Sequence, residues 1–360
     1  MSSPEILESV VPRSIIIGKS ILNKIPTIIE SLGLDPKILV LTGPNTRQIV
    51  GEEIFEILSH QEMNCEVMIV EHSSLEAAKT YKDQLEQYNP NILISAGGGK
   101  IIDIGKYCLN QVKNKLEMIS VPTSTSHDGI ASPFIFLNDP TEKYIGECQP
   151  PVAIIADVEI IKQHPHLIRH LAAGVGDTVG KITSIWDWQY AWRIKSEKYS
   201  RFVGGVLENA DSLFQSQVTE ALVDPEFAIQ VVLKALLIAG VLMGTSNDIR
   251  VGYGSEHMFS TALAAETPEA DILHGERVAL GAIMMAKLQG QDHNQIINIL
   301  KSAGCPTNIH DLEDEIPPES IIQALQKAHT VHSMYTVLGR TGLTESAALN
   351  LARMTKVIDS

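Results

Sequence analysis

Apolar residues in the first 157 positions gather into short, nearly unbroken runs, and stretches with helical spacing separate them. SIIIG (14–18), KILVLTG (37–43), CEVMIV (65–70), NILISAGGG (91–99) and MISVPT (118–123) are predicted strands. Strands that are apolar on both faces belong in a parallel sheet covered by helices on each side. Such sheets bind ligands at the carboxyl ends of their strands. PFIFLNDPTEKYIGE predicts a hairpin, with Asn138, Asp139 and Pro140 supplying the turn. VAIIADVE (152–159), after Pro150 and Pro151, predicts one more strand.

From 158 onward the helical period dominates, with breaks expected at NAD near 210, GTSNDIRVGYG near 250 and GCPT near 305. The run AIQVVLKALLIAGVLMG (228–244) is interrupted by Lys234 and is too short to span a bilayer, so it predicts a buried core helix. The expected fold is therefore α/β plus all-α, with a Rossmann-like parallel-sheet domain over 1–157 and a helical domain over 158–360. The cleft between two such halves is the natural place for a site.

Composition narrows the choice of partner. With 44% hydrophobic and 20% charged residues the chain reads as globular, and 360 residues exceed what one core usually serves. A formal charge of -15 argues against nucleic acid or an anionic membrane, which need a basic face. The start MSSPEILESVVPRS lacks the basic and apolar regions of a signal peptide. Cys65, Cys108, Cys148 and Cys305 are too far apart to suggest a disulfide framework. A cytoplasmic protein without membrane insertion is expected.

Candidate chemistry sits at the strand ends. In SAGGGKIIDIGK, Gly97, Gly98 and Gly99 follow a strand and precede a helix expected from about Ile101. There backbone N–H groups can approach a diphosphate. Asp103 is expected in the first turn of that helix, where a carboxylate suits the dipole. After the next strand, Thr123, Ser124, Thr125 and Ser126 form a hydroxyl run that should border the same ligand; His127 and Asp128 come next. Asp177 follows a glycine-punctuated stretch taken as a break before a helix, and His257 and His274 each adjoin apolar helical segments. One carboxylate and two imidazoles make a borderline donor set suited to Zn²⁺, but spacings of 80 and 17 residues match no local zinc motif. Only the fold can join them.

At these residues the chain resembles the superfamily of iron-containing alcohol dehydrogenases and dehydroquinate synthases. Within it, GGGKIIDIGK, VPTSTSHDGIASP, AGVGDTVGKITSIWDWQYA, GSEHMFS and LHGERVALG are similar to the glycerol-1-phosphate dehydrogenase branch, over about residues 14–290. That resemblance implies a metal held by Asp177, His257 and His274. It places NAD(H) or NADP(H) against Gly97, Gly98, Gly99, Lys100, Asp103, Thr123 to Ser126 and Ser132, with Asp128 and Asp177 toward the substrate. The implied reaction is reduction of dihydroxyacetone phosphate to sn-glycerol 1-phosphate for archaeal ether phospholipids, in a homodimer or an octamer. One position departs from the branch: where it usually carries a second histidine near the substrate, four residues after His257, this chain has Thr261. Glycerol dehydrogenase and a sugar-phosphate cyclase related to dehydroquinate synthase are the alternative activities. Strand KILVLTG runs into PNTRQ with no acidic residue to hold an adenosine ribose. Arg47 is placed to accept a 2′-phosphate, so NADPH is expected to serve as well as NADH. Lys181, one helical turn after Asp177, is a candidate for the substrate phosphate or for a surface ion pair.

Overall fold

The computed structural model describes residues 10–33, 36–138 and 143–359. Its first part alternates strands and helices: β1 (Ser14–Gly18), α1 (Ile25–Ser31), β2 (Lys37–Thr42), the single turn α2 (Pro44–Thr46), α3 (Glu52–His60), β3 (Asn64–Ile69), α4 (Leu75–Tyr88), β4 (Ile92–Gly97), α5 (Gly99–Gln111) and β5 (Glu117–Pro122). The predicted hairpin is present as antiparallel β6 (Phe134–Asn138) and β7 (Lys143–Glu147), and β8 (Ala153–Asp157) completes the sheet. The turn residues Asp139 and Pro140 lie outside the described residues.

Six parallel strands run in the order β1-β8-β5-β4-β2-β3. Alternate residues serve opposite faces, as the two-residue repeat of a strand requires. Ile38, Val40, Ile92 and Ile94 pack with Ile25 of α1 and Ile54 of α3. Leu39, Leu41 and Leu93 pack with Leu75 of α4 and Ile104 of α5. The chain reverses direction across the sheet between β2 and β4, and Thr42, Ala96 and Val121 lie level in register. The loops after β2, β4 and β5 therefore open on one edge, at the switch point where such sheets take ligands.

Beyond β8 the described elements are helices: α6 (Val158–Lys162), α7 (Leu167–Lys195), α8 (Arg201–Ala221), α9 (Pro225–Ser246), α10 (Ser255–Glu266), α11 (His274–Leu288), α12 (His293–Ser302), α13 (Pro318–Lys327) and α14 (Glu345–Met354), with short 3-10 turns between. Met118, Ile154 and Ala156 from the sheet share one apolar cluster with Leu171, Val175 and Ile229, so the two halves are joined by continuous packing. The apolar run 228–244 lies within α9, whose 22 residues are, contrary to expectation, long and apolar enough to cross a membrane; two thirds of its most apolar window is nevertheless buried in protein.

Two expected breaks are absent. NAD near 210 lies inside α8, where Asp211 is buried instead of marking a turn. The glycines before Asp177 do not interrupt α7, which runs unbroken for 29 residues with Asp177 in its second quarter. Their role is close approach. A β-carbon on Gly174 would lie 2.0 Å from the Thr125 carbonyl oxygen, and one on Gly176 would lie 2.3 Å from that of Gly275. The expected breaks near 250 and 305 are both present.

Candidate active site

The β4 turn is shaped by its neighbours. A β-carbon on Gly97 would meet Ile101 at 2.7 Å, and one on Gly99 would come within 1.6 Å of His127 Nε2. Gly98 has nothing nearer than Ser124 Oγ at 3.7 Å, so the middle glycine leaves room above the start of α5. That helix starts at Gly99, slightly earlier than its pattern suggests, and Asp103 falls in its second turn, not its first. Its partner is Lys106, buried beside it at 3.2 Å. Burial raises the Asp103 pKa, and Lys106 only partly opposes this. Lys100 is exposed.

The hydroxyl run is buried: Thr123, Ser124, Thr125 and Ser126 are each at most 9% exposed. Ser124 and Ser126 share a 3.3 Å contact, while the hydroxyls of Thr125 and of Ser132 have no hydrogen-bond partner among the described residues. A solvated turn does not look like this. Buried hydroxyls without partners are costly, and an added polar ligand would relieve that cost. Arg47, just past β2, is about half exposed and pairs with Glu52 at 3.1 Å.

Asp177, His257 and His274 are brought together by α7, α10 and α11. One ligand atom from each lies within 4.8 Å of the others. His257 Nε2 is 3.1 Å and His274 Nε2 3.6 Å from Asp177 Oδ1. Asp177 Oδ2 accepts the backbone N–H of Asp128 at 3.0 Å, which ties the loop after β5 to this cluster. Burial works against the charge on Asp177, but Lys181 and bonds from both histidines outweigh it and hold the carboxyl well below its usual range. Burial lowers the pKa of His274, favouring the neutral ring that ligation needs. The donors, one carboxylate oxygen and two imidazole nitrogens, fit a divalent transition metal with a position left open.

The sequence profile of the iron-containing alcohol dehydrogenases matches residues 16–165. The chain is 36% identical over 351 residues to the glycerol-1-phosphate dehydrogenase [NAD(P)+] of Saccharolobus solfataricus, covering 97% of both chains. It is 36% identical over 348 residues to the enzyme of that name from Thermococcus kodakarensis, covering 96% of this chain and 97% of that one. The chain belongs to the glycerol-1-phosphate dehydrogenase family, within the iron-containing alcohol dehydrogenases. Among solved structures, a probable glycerol dehydrogenase from Sinorhizobium meliloti superposes with a TM-score of 0.79 at 17% identity, over 98% of this chain and all of that one. At that identity the likeness concerns the fold, which is that of the dehydroquinate synthase-like alcohol dehydrogenases.

In this family member, several site residues were not singled out by the sequence reading. Glu256 is fully buried; its Oε1 takes His257 Nδ1 at 2.7 Å and the Gly254 N–H at 2.9 Å, and its Oε2 takes the Thr183 hydroxyl at 2.8 Å. Burial pulls the His257 pKa down, but the carboxylates on its two sides more than reverse this and raise it. Arg169 on α7 grips Glu276 with two bonds, 2.7 and 2.9 Å, and Glu276 accepts the Leu273 N–H that opens α11, one residue before His274. Only the nearby acidic residues, Glu256 beside His257 and Glu276 two places after His274, hinted at these supports. Lys181 is no surface residue: it is 1% exposed and lies 2.6 Å from Asp128 Oδ2.

Thr261 does share a face with His257, and its hydroxyl meets the hydroxyl of Tyr253 at 3.2 Å. Tyr253 stacks on Phe136 of β6, and its ring lies 5.1 Å from that of His257. Burial pushes the Tyr253 hydroxyl up to about 12, so it stays a neutral donor or acceptor. A tyrosine–threonine pair thus stands beside His257.

Proposed function

We propose that the protein reduces dihydroxyacetone phosphate to sn-glycerol 1-phosphate, using hydride from NADH or NADPH, to supply the glycerol backbone of archaeal ether phospholipids. The observation that carries this reading is the convergence of Asp177, His257 and His274, joined through Asp128 to the loop that borders the glycine turn. The relatives named above carry the same activity and the same pair of cofactors in their names.

The two sides of the cleft then have separate tasks. Gly97 to Lys100, Asp103, the Thr123 to Ser126 run and Ser132 would surround the dinucleotide, whose diphosphate suits the open space at Gly98 and the N-terminus of α5. Arg47 would give up Glu52 to meet a 2′-phosphate. On the other side, Asp177, His257 and His274 would hold a divalent ion, with zinc as the first candidate from its donor set. Such an ion polarises a carbonyl oxygen and favours the alkoxide. Asp128 would accept hydrogen bonds from the substrate hydroxyls, and Thr261 with Tyr253 would line the place where the family resemblance implies a histidine. Oxygens on the neutral pair can orient a substrate without placing a charge there.

The domain division at 157/158 and a cytoplasmic location belong to the same reading; all four cysteines are free thiols. So does a homodimer or octamer. An apolar surface on α8 and α9, where Phe202 is 76% and Leu213 62% exposed, is suited to such an assembly.

The test is oxidation of NADH and of NADPH with dihydroxyacetone phosphate, before and after chelation and zinc restoration, with the chirality of the product determined. Metal-dependent formation of the sn-1 product is expected. Preferential turnover of unphosphorylated glycerol would transfer the assignment to a glycerol dehydrogenase. A product formed without net NADH consumption would transfer it to a cyclase.

A further inference from the structure

Lys181 stands where the two tasks of the site meet. An enclosed ammonium is costly unless anions compensate it, and here two carboxylates do. Its Nζ is 2.6 Å from Asp128 Oδ2 and 3.3 Å from Asp177 Oδ1, and it donates to the Gly252 carbonyl at 3.3 Å. Asp177 Oδ1 is also the oxygen that faces both histidines. The ammonium therefore occupies the oxygen that a divalent ion must use, while gripping the carboxylate assigned to the substrate. It has little room to withdraw. Lys181 is 1% exposed and fixed to α7 one turn from Asp177.

We propose that Lys181 is a positioning residue that couples the two halves of the site: it fixes Asp128 for the substrate and, as a competing cation, weakens metal binding so that the ion exchanges. This rests on the metal-site reading above. Removing the ammonium takes a like charge away from the incoming ion and leaves Asp128 as an uncompensated anion beside it. Both changes tighten metal binding, whereas the substrate loses a fixed acceptor. Zinc affinity and substrate affinity should therefore move in opposite directions. A side chain that merely supported the packing would, on removal, weaken both.

The experiment titrates zinc into metal-free wild type, Lys181→Met and Lys181→Gln against a chromophoric chelator, and separately measures KM and kcat for dihydroxyacetone phosphate. Two neutral variants of different polarity are used so that folding of either suffices, checked by circular dichroism and NADH binding. The neutral variants are expected to bind zinc ~10–100-fold tighter, the range over which residues supporting a metal ligand tune affinity. KM should rise by about tenfold or more, with a smaller change in kcat, and Lys181→Arg should stay near wild type in zinc affinity. Unchanged or weaker zinc binding in a folded neutral variant overturns the proposal. Asp177→Ala serves as the control in the same titration. If it loses zinc while the Lys181 variants do not tighten, only the role of Lys181 fails. If it binds zinc like wild type, the metal-site reading fails, and the proposal fails with it.

Discussion

The turn after β4 and the cluster on α7, α10 and α11 face each other, yet they are made in different ways. At the turn the working parts are backbone and consecutive residues: three glycines, then the first N–H groups of α5. In the cluster they are side-chain tips from Asp177, His257 and His274, carried by three helices and held by a second tier of Glu256, Glu276 and Arg169. A site built from backbone is sensitive to added volume. One built from side-chain tips is sensitive to lost charge and lost hydrogen bonds.

The sharpest separation of the two regions comes from Asp177→Ala. It should abolish zinc binding and reduce kcat/KM by about 10³-fold or more, as expected when the groups that stabilise developing charge are lost. NADH affinity should stay near wild type. The reverse case is Gly99→Ala, whose β-carbon has no space beside His127. Displacing that turn should weaken dinucleotide binding about 10²-fold. Equilibrium dialysis should show zinc content unchanged. If either variant damages both ligands equally, the two regions are not independent.

Glu256→Gln probes the second tier. A neutral amide can still bond His257 Nδ1 but no longer makes the imidazole a stronger donor through a charged carboxylate, so zinc affinity should fall ~10–100-fold. The smallest effect is expected from Asp211→Asn, midway along α8. Burial pushes the Asp211 carboxyl up to about 7 from 3.8, so the folded state holds its proton more tightly than the unfolded chain does. Stability from this group is present below about pH 4 and lost as the pH rises through 7. The asparagine variant should be more stable than wild type at pH 8, by on the order of 1 kcal/mol, and less so at pH 5. Thermal melts at the two pH values decide it, and both active-site regions should be unaffected.

The same contrast explains what could be read from the sequence. The strands were legible because both faces of each are buried, which forces runs such as ILVL and ILIS. The glycine turn was legible because its residues are adjacent. Asp177, His257 and His274 could be joined into one candidate metal site only through family resemblance, since no spacing rule connects position 177 with 257 and 274. Asp177 was misplaced at a helix start because glycine usually signals a break, whereas here contact with Thr125 and Gly275 sets the requirement. NAD near 210 misled for a related reason: Asp211 has the chemistry of a turn residue but lies buried on a helix face. Glu256, Glu276 and Arg169 act through other side chains, and a partner 107 positions away leaves no local mark.

The glycines of α7 also set how closely the two regions can lie. Each interior glycine costs a helix about 1 kcal/mol relative to alanine, so a helix that keeps three of them, Gly174, Gly176 and Gly180, gives up propensity for proximity. At Gly174 the helix backbone rests against the backbone of the hydroxyl loop, and at Gly176 against the start of α11. Contacts between bare backbones have no rotamers to adjust. This seam therefore acts as a fixed spacer, setting how far the hydroxyl loop and the start of α11 stand from the helix that carries Asp177.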